Sequence, residues 1–316
     1  MIRMIVMLCV GWALSASGQS LAVGKGLFEE QKYAEAKKQL AAIRDGAKDF
    51  AAARYYLGRI AFQEELFEDA ADYLEEATDA DERVAAYFEW YGNALANVAM
   101  EANMVRQGLL APKMKSAWEK AAKLDPKSVG PRRSLVEFYM QAPGFMGGSK
   151  EKAIAMAREI IALSPAEGHR VLGSVLARDK KVVEAEKEYL EAVRLNPDFR
   201  NELTAFYVGQ QMYEKAFGTI DEALKSNPDN MQAHYQMGRT SAISGLRLVQ
   251  GEASLRRYLA HKPGATEPTL AGANMRLAQV LEKKGNKEAA RKHYAEALRL
   301  DAKMEEAKVG LDRVSK

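Results

Sequence analysis

Apolar residues recur along this chain at spacings of three and four, the period of an amphipathic helix, and the pattern is interrupted by short polar breaks. The clearest stretch runs from Ala166 to Pro197. His169, Leu172, Gly173 and Leu176 share one helical face; after Asp179-Lys180-Lys181, a second run places Ala185, Tyr189 and Ala192 on another. Leu195-Asn196-Pro197 closes it, because proline lacks an N–H and pushes the residue before it out of the helical region. The spacing predicts two short helices joined by a tight turn.

The same unit recurs. From the small residue of the first helix to that of the second, Gly173 to Ala185, the interval is twelve residues. Gly24 to Ala36, Gly58 to Ala70, Thr204 to Ala216 and Ala278 to Ala290 repeat it. A further seven residues reach Ala77, Ala223 and Ala297, with Ile43 at the corresponding place in the first unit. Small residues at such sites let helices approach closely, while Leu57, Leu74, Leu172, Tyr189, Leu203, Ile220, Leu277 and Tyr294 fill the space beside them.

On these residues the chain resembles the tetratricopeptide repeat family, whose units are helix pairs of roughly 34 residues. The resemblance covers about Leu21 to the end. It implies an all-α fold, a right-handed superhelical solenoid of antiparallel helix pairs, with about eight units and a C-terminal capping helix. Glu305 to Val314 supplies that cap; its charged outer face keeps the last apolar surface from water. The expected organisation is a signal peptide over 1–18 and a solenoid over 19–316.

Three units depart from the interval. Gly92 pairs with Met114 at twenty-two, so ten residues are added within 96–112; the first helix is expected to lengthen before Gly108 and Pro112 break it. The fourth unit carries Leu135 and Tyr139 and inserts a glycine-rich loop over 142–148, after which Ser149 is placed to cap a helix containing Ala153. Phe145 and Met146 in that loop are expected to tuck against a neighbouring unit. In the seventh unit Gly238 to Gly251 is thirteen.

The first residues differ in kind. Met1-Ile2-Arg3 followed by the apolar run from Met4 to Ala13 has the shape of a secretory signal peptide, with a small-x-small cleavage site at Ala16-Ser17-Gly18. The run is shorter than the roughly 20 residues that a bilayer span needs. A periplasmic or secreted location follows as an expectation. Cys9, the single cysteine, lies in the segment to be removed, so stability must come from helix packing. With 46 Lys and Arg against 43 Asp and Glu the net charge is +3, a balance unlike the concentrated basic footprint of a nucleic-acid binder.

No catalytic constellation emerges. The loop Pro143 to Lys150 is glycine-rich but has Ser before Lys and no preceding strand, unlike a phosphate-binding loop. His169, His234, His261 and His293 show no metal spacing, and His169 and His234 occupy packing positions. Met100, Met104 and Met237 fall at helical packing spacing and call for no cofactor.

The first-helix face opposite the packing residues lines a concave groove in the resembled family. Taking ~100° per residue, that face carries Tyr55, Arg59, Trp90, Asn93, Asn97, Arg133, Glu137, Arg170, Arg178, Tyr235, Arg239 and Arg276. Arginine outnumbers acid there, and asparagine suits a peptide backbone. The resemblance implies a non-catalytic scaffold binding an extended peptide or partner helix; arginine favours an acidic segment or a free C-terminus. Envelope assembly or secretion is the expected setting. One rival is a self-assembling structural protein, a homo-oligomer docked through Met100, Met104, Leu109 and Leu110; a helical enzyme is the weakest alternative.

Overall fold

The computed structural model describes residues 20–316; the expected signal peptide lies outside the described residues. Those residues are helical, without a strand among them, and divide into two compact units whose boundary falls between Val175 and Leu176. The first unit contains α1 (20–29), α2 (Tyr33–Ala41), α3 (Phe50–Gln63), α4 (Phe67–Ala80), α5 (Ala85–Glu101), α6 (Met104–Leu124), α7 (Gly130–Gln141), α8 (Lys150–Leu163) and most of α9 (Pro165–Arg178). The second contains α10 (Val182–Leu195), α11 (Arg200–Gly209), α12 (Tyr213–Ser226), α13 (Met231–Ser244), α14 (Leu248–Leu259), α15 (Leu270–Lys283), α16 (Lys287–Leu300) and α17 (Glu305–Ser315).

Within each unit the helices pair because one bulky residue of the second helix sits on the small residue of the first. A Cβ built on Gly24 would lie 2.6 Å from Leu40, and one on Gly58 would lie 2.6 Å from Leu74, sixteen residues on in both cases. Both leucines are fully buried. The third pair uses Trp118 on Gly92, 2.5 Å from such a Cβ, at a separation of twenty-six; in the second unit Leu255 covers Gly238 at seventeen. The extra ten residues and one residue are those that lengthen the repeat interval in these two units.

The turns are equally regular. Seven residues after the small residue, Gln31, Glu65, Gln211, Gly245 and Gly285 adopt a left-handed conformation, with φ from 59° to 83°. The next amide closes a bond five residues back in four of them: Lys32 to Leu27, Leu66 to Ala61, Met212 to Tyr207 and Asn286 to Leu281. This end of the first helix satisfies carbonyls that would otherwise be orphaned. Glycine takes that conformation without strain, whereas the non-glycine residues accept a cost of roughly 1 kcal/mol.

The third pair lacks the turn. α5 has 17 residues and α6 has 21, against 14 each in α3 and α4. The expectation that α5 lengthens holds, but Gly108 and Pro112 do not break the helix; both lie inside α6. The break falls at Ala102 and Asn103, where the Asn103 side chain accepts from the Arg106 amide and caps a new helix. Pro112 forfeits one helical hydrogen bond, which the burial of Ala111, Ala117 and Trp118 in the same helix offsets. In the fourth pair a 3-10 turn, Gly144–Met146, precedes α8, and Ser149 caps α8 by accepting from the Lys152 amide.

A polar tie recurs between successive pairs. The Tyr91 hydroxyl (α5) donates to Glu75 (α4) at 2.6 Å and Lys113 (α6) reaches the same carboxylate at 3.2 Å. Tyr207 and Lys215 treat Glu186 alike, at 2.8 and 2.6 Å. The Tyr91 bond holds the Glu75 carboxyl below its ordinary value against the opposing effect of burial; for Glu186 the Lys215 bond is the larger cause. Burial, followed by the hydrogen bond to the carboxylate, pushes both tyrosines up. The chain closes with α17, whose Ala307, Gly310 and Val314 are buried. Its glycine lies against the ring of Tyr294.

Two measurements check this account. Gly58→Ala places a methyl against Leu74 and the Ala70 carbonyl and is expected to cost about 1–3 kcal/mol in urea denaturation, whereas Gly218→Ala, on an open face of α12, gains about 0.5–1 kcal/mol. A carboxylate with a lowered folded pKa stabilises above its unfolded value, here near 4.5, and that contribution fades as pH falls through the folded value. The melting temperature of the wild type is therefore expected to fall more steeply below about pH 4.5 than that of the Glu75→Gln, Glu186→Gln variant; parallel acid limbs would show that the ties do not contribute.

Candidate functional site

The longest helix pair of the first unit borders a cleft. Asn93, on α5, accepts the Trp118 indole N–H at 2.9 Å and the Ser134 hydroxyl at 3.3 Å, so one carboxamide oxygen joins α5, α6 and α7. Glu89 is packed against Gly130 at the start of α7. Both pairs are offset by the same forty-one residues, which sets α5 and α7 parallel and in register.

Beside this junction lies a cleft of about 600 Å³. Its walls are mainly apolar, with Phe62, Trp90, Met100, Met114, Trp118, Phe138 and Met146, and its polar groups include Asn93, Asn97, Gln107, Arg133, Glu137 and Arg170. Size and mixture suit a small number of side chains or a short segment of chain.

Trp90 is held in place from two directions. The Arg59 guanidinium lies 3.8 Å from its ring centroid, and Phe62 meets it edge-on at 5.2 Å. Arg59 is in turn hydrogen-bonded to the Tyr55 hydroxyl at 2.8 Å and lies 5.3 Å from the Phe28 ring. A cation over an indole contributes roughly 0.5–2 kcal/mol, more as water is excluded. Tyr55 and Arg59 thus stand behind Trp90 rather than lining the cleft.

The charges are partly matched. Arg170 grips Glu167 with two bonds of 2.6 and 2.8 Å. Arg133 reaches the same carboxylate only at 3.7 Å, with its side chain 58% exposed. Burial works to raise the Glu167 carboxyl, but the Arg170 bond and Arg133 outweigh it and hold it below its usual range. Glu89 goes the other way, raised by burial despite the opposing charges of Arg133 and Arg59. Glu137 accepts from Gln141 at 3.1 Å, and the Asn97 carboxamide donates to the Asn93 carbonyl at 2.9 Å.

The structure therefore brings Trp90, Asn93, Asn97, Arg133, Glu137 and Arg170 to one cleft. Residues chosen by the same rule in the second unit have other surroundings. Arg276 pairs with Glu306 at 3.0 Å and with Gln279 at 2.9 Å. The Tyr235 ring packs 5.3 Å from Tyr258, against the core of that unit. Arg239 is half-buried, and Arg178 is exposed at the end of α9. Neighbouring first helices cover part of the face that a single-helix projection leaves open, which is why Gln236 and Met275 are buried.

Other expectations need correction. Met100 and Met104 are not packing residues: they are 77% and 70% exposed, whereas Met237 is buried. Leu109 is exposed as expected of a docking surface, but Leu110 packs on the core. Of Phe145 and Met146, only Met146 turns inward; Phe145 is 80% exposed. Gly147 takes a φ of 102°, as a tight inter-helix loop requires. His234 is a packing residue, buried with its ring nitrogens on Ser254 and the Pro228 carbonyl.

Projection along first helices also missed Gln107, Trp118 and Met146, which reach the cleft from a second helix and a loop. Their signal was the lengthened interval and the glycine-rich insertion. Among the described residues no group of three His, Cys, Asp or Glu side chains stands close enough to hold a metal, and no helix is long and apolar enough to cross a membrane.

Comparison with known proteins bears on the whole chain. A tetratricopeptide repeat family model matches residues 21–97 and 147–198, and a second tetratricopeptide repeat model matches 271–304. No curated protein matches the sequence. Among solved structures, a tetratricopeptide repeat protein from Parabacteroides merdae is 11% identical with a TM-score of 0.60, covering 96% of this chain and all of that one. The C-terminal part of a repeat-containing protein from Cytophaga hutchinsonii is 15% identical over 92% of this chain and 99% of its own, with a TM-score of 0.48. PilW, a widely conserved type IV pilus biogenesis factor, is 14% identical over 84% of this chain and all of its own, with a TM-score of 0.46. The likeness to the Parabacteroides merdae structure speaks to fold alone. Repeat interval, paired helices and family models agree, and the chain belongs to the tetratricopeptide repeat family.

Proposed function

We propose that this protein is a non-catalytic scaffold that captures an extended peptide segment of a partner protein in the cleft of its first unit. One observation carries the reading: residues that line an apolar cleft carry hydrogen-bond donors without protein partners. Among the described residues no acceptor meets the Trp90 indole N–H or the Asn93 carboxamide nitrogen, and the nearest carboxylate to Arg133 is shared with Arg170. Peptide carbonyls supply the acceptors that such donors lack, and aromatic walls accept the side chains between them. Arg133 receives one carboxylate of the partner, from an acidic side chain or a free C-terminus.

The basic tip and apolar run at the start of the sequence support export to the periplasm or beyond, and with it a role in envelope assembly or secretion. Self-assembly is a second reading, favoured by the exposure of Met100, Met104 and Leu109.

Replacing Trp90 and Arg133 together by alanine is expected to abolish retention of a partner from native extract while leaving helicity unchanged. Unchanged retention would overturn the groove. Sedimentation over a hundredfold range of concentration separates self-assembly, which gives a rising mass. N-terminal sequencing of the secreted protein is expected to begin near Gln19; an intact Met1 would remove the export reading.

A further inference from the structure

The two insertions of this chain meet at one end of the cleft. Met100, at the lengthened end of α5, Gln107, on the lengthened α6, and Met146, in the 3-10 turn, all line it. The Met146 methyl lies 3.6 Å from a Cβ built on Gly108, which shows the turn packed on α6. The residues flanking that contact, Leu109 and Phe145, are exposed, as are Met104 and Val105. An apolar rim of this kind costs solubility unless something covers it. The tetratricopeptide repeat models stop at residue 97 and resume at 147, so this end is an addition to the repeat frame.

The opposite end is different. Trp90 and Arg133 stand there, and the parallel register of α5 and α7 sets Met100 level with Gln141. The same register sets Arg133 level with Gly92; from there to Met100 a helix rises roughly 12 Å, a distance that three to four residues of extended chain cover. The charges that line the cleft cancel, Arg133 and Arg170 against Glu137 and the neighbouring Glu167. A run of acidic residues therefore gains nothing there. One carboxylate at Arg133 is accommodated, because its contact to Glu167 is long at 3.7 Å.

The geometry points to a specific occupant: an extended, otherwise neutral peptide carrying a bulky apolar side chain seated between Met100 and Met146, three to four positions from a single carboxylate held by Arg133. Methionines suit such a seat, because unbranched thioethers adjust to leucine, methionine or aromatic shapes alike. The seat depends on the cleft being a peptide site, as proposed above, and adds which peptide it selects.

The probe is a synthetic library of peptides random at seven positions, panned on the purified protein, on the Trp90→Ala, Arg133→Ala variant and on a Met100→Ser, Met146→Ser variant, each of confirmed helicity. The wild type is expected to enrich sequences with Leu, Met, Phe or Trp three to four positions from one Asp, Glu or terminal carboxylate. Replacing that apolar residue by alanine in the best peptide should weaken binding about 10- to 100-fold to the wild type, and leave binding to the methionine variant nearly unchanged. Enrichment that the Trp90, Arg133 variant loses, but that shows no apolar position, would overturn the seat and spare the groove. The same apolar preference in the methionine variant would also overturn the seat. No enrichment by the wild type would overturn the groove and the seat together.

Discussion

The structure depends on a close approach: in one helix pair after another, a bulky side chain of the second helix fills the space where a glycine of the first has no Cβ. Leu40 on Gly24, Leu74 on Gly58, Trp118 on Gly92 and Leu255 on Gly238 are the same contact made with different side chains. Dispersion falls off steeply with separation, so helices that meet this closely gain much of their packing at one point. The left-handed turn seven residues after the small residue fixes the return path, and together the two features set the interval read along the sequence.

The third pair shows how a cleft is added without losing that contact. Trp118 replaces leucine on Gly92, and its indole N–H reaches Asn93, so the larger side chain both fills the gap and positions a polar group at the edge of the cleft. Lengthening α5 and α6 raises a wall beside it, and the loop before α8 brings Met146 to the same place. The cleft is thus a local departure from the repeat, carried by a frame that the departure leaves intact.

Much of the fold was legible because small and large residues alternate at fixed separations. Six of the proposed groove residues were legible for a related reason, since one face each of α5, α7 and α9 lines the cleft in the assembled unit. Arginine on the predicted inner face proved a poor guide to anion binding. Arg59 is stacked on Trp90, Arg170 is held by Glu167 and Arg276 by Glu306. An arginine shows its charge to a ligand only when no nearby carboxylate or ring has engaged it, and those neighbours come from other helices or the next helical turn.

By itself the sequence determined the helix pairs, their number of inserted residues and the small and large residues at which each pair meets, since these follow from local periodicity and from the size of residues at repeated positions. Only the tertiary structure decided that the helix breaks at Asn103 rather than at Pro112, where a side-chain cap competes with a proline whose cost packing offsets. It alone brought residues around 100, 107, 133 and 146 to one cavity. Those residues belong to different helices and a loop, and no period along the chain relates them; their proximity is a property of how successive pairs stack.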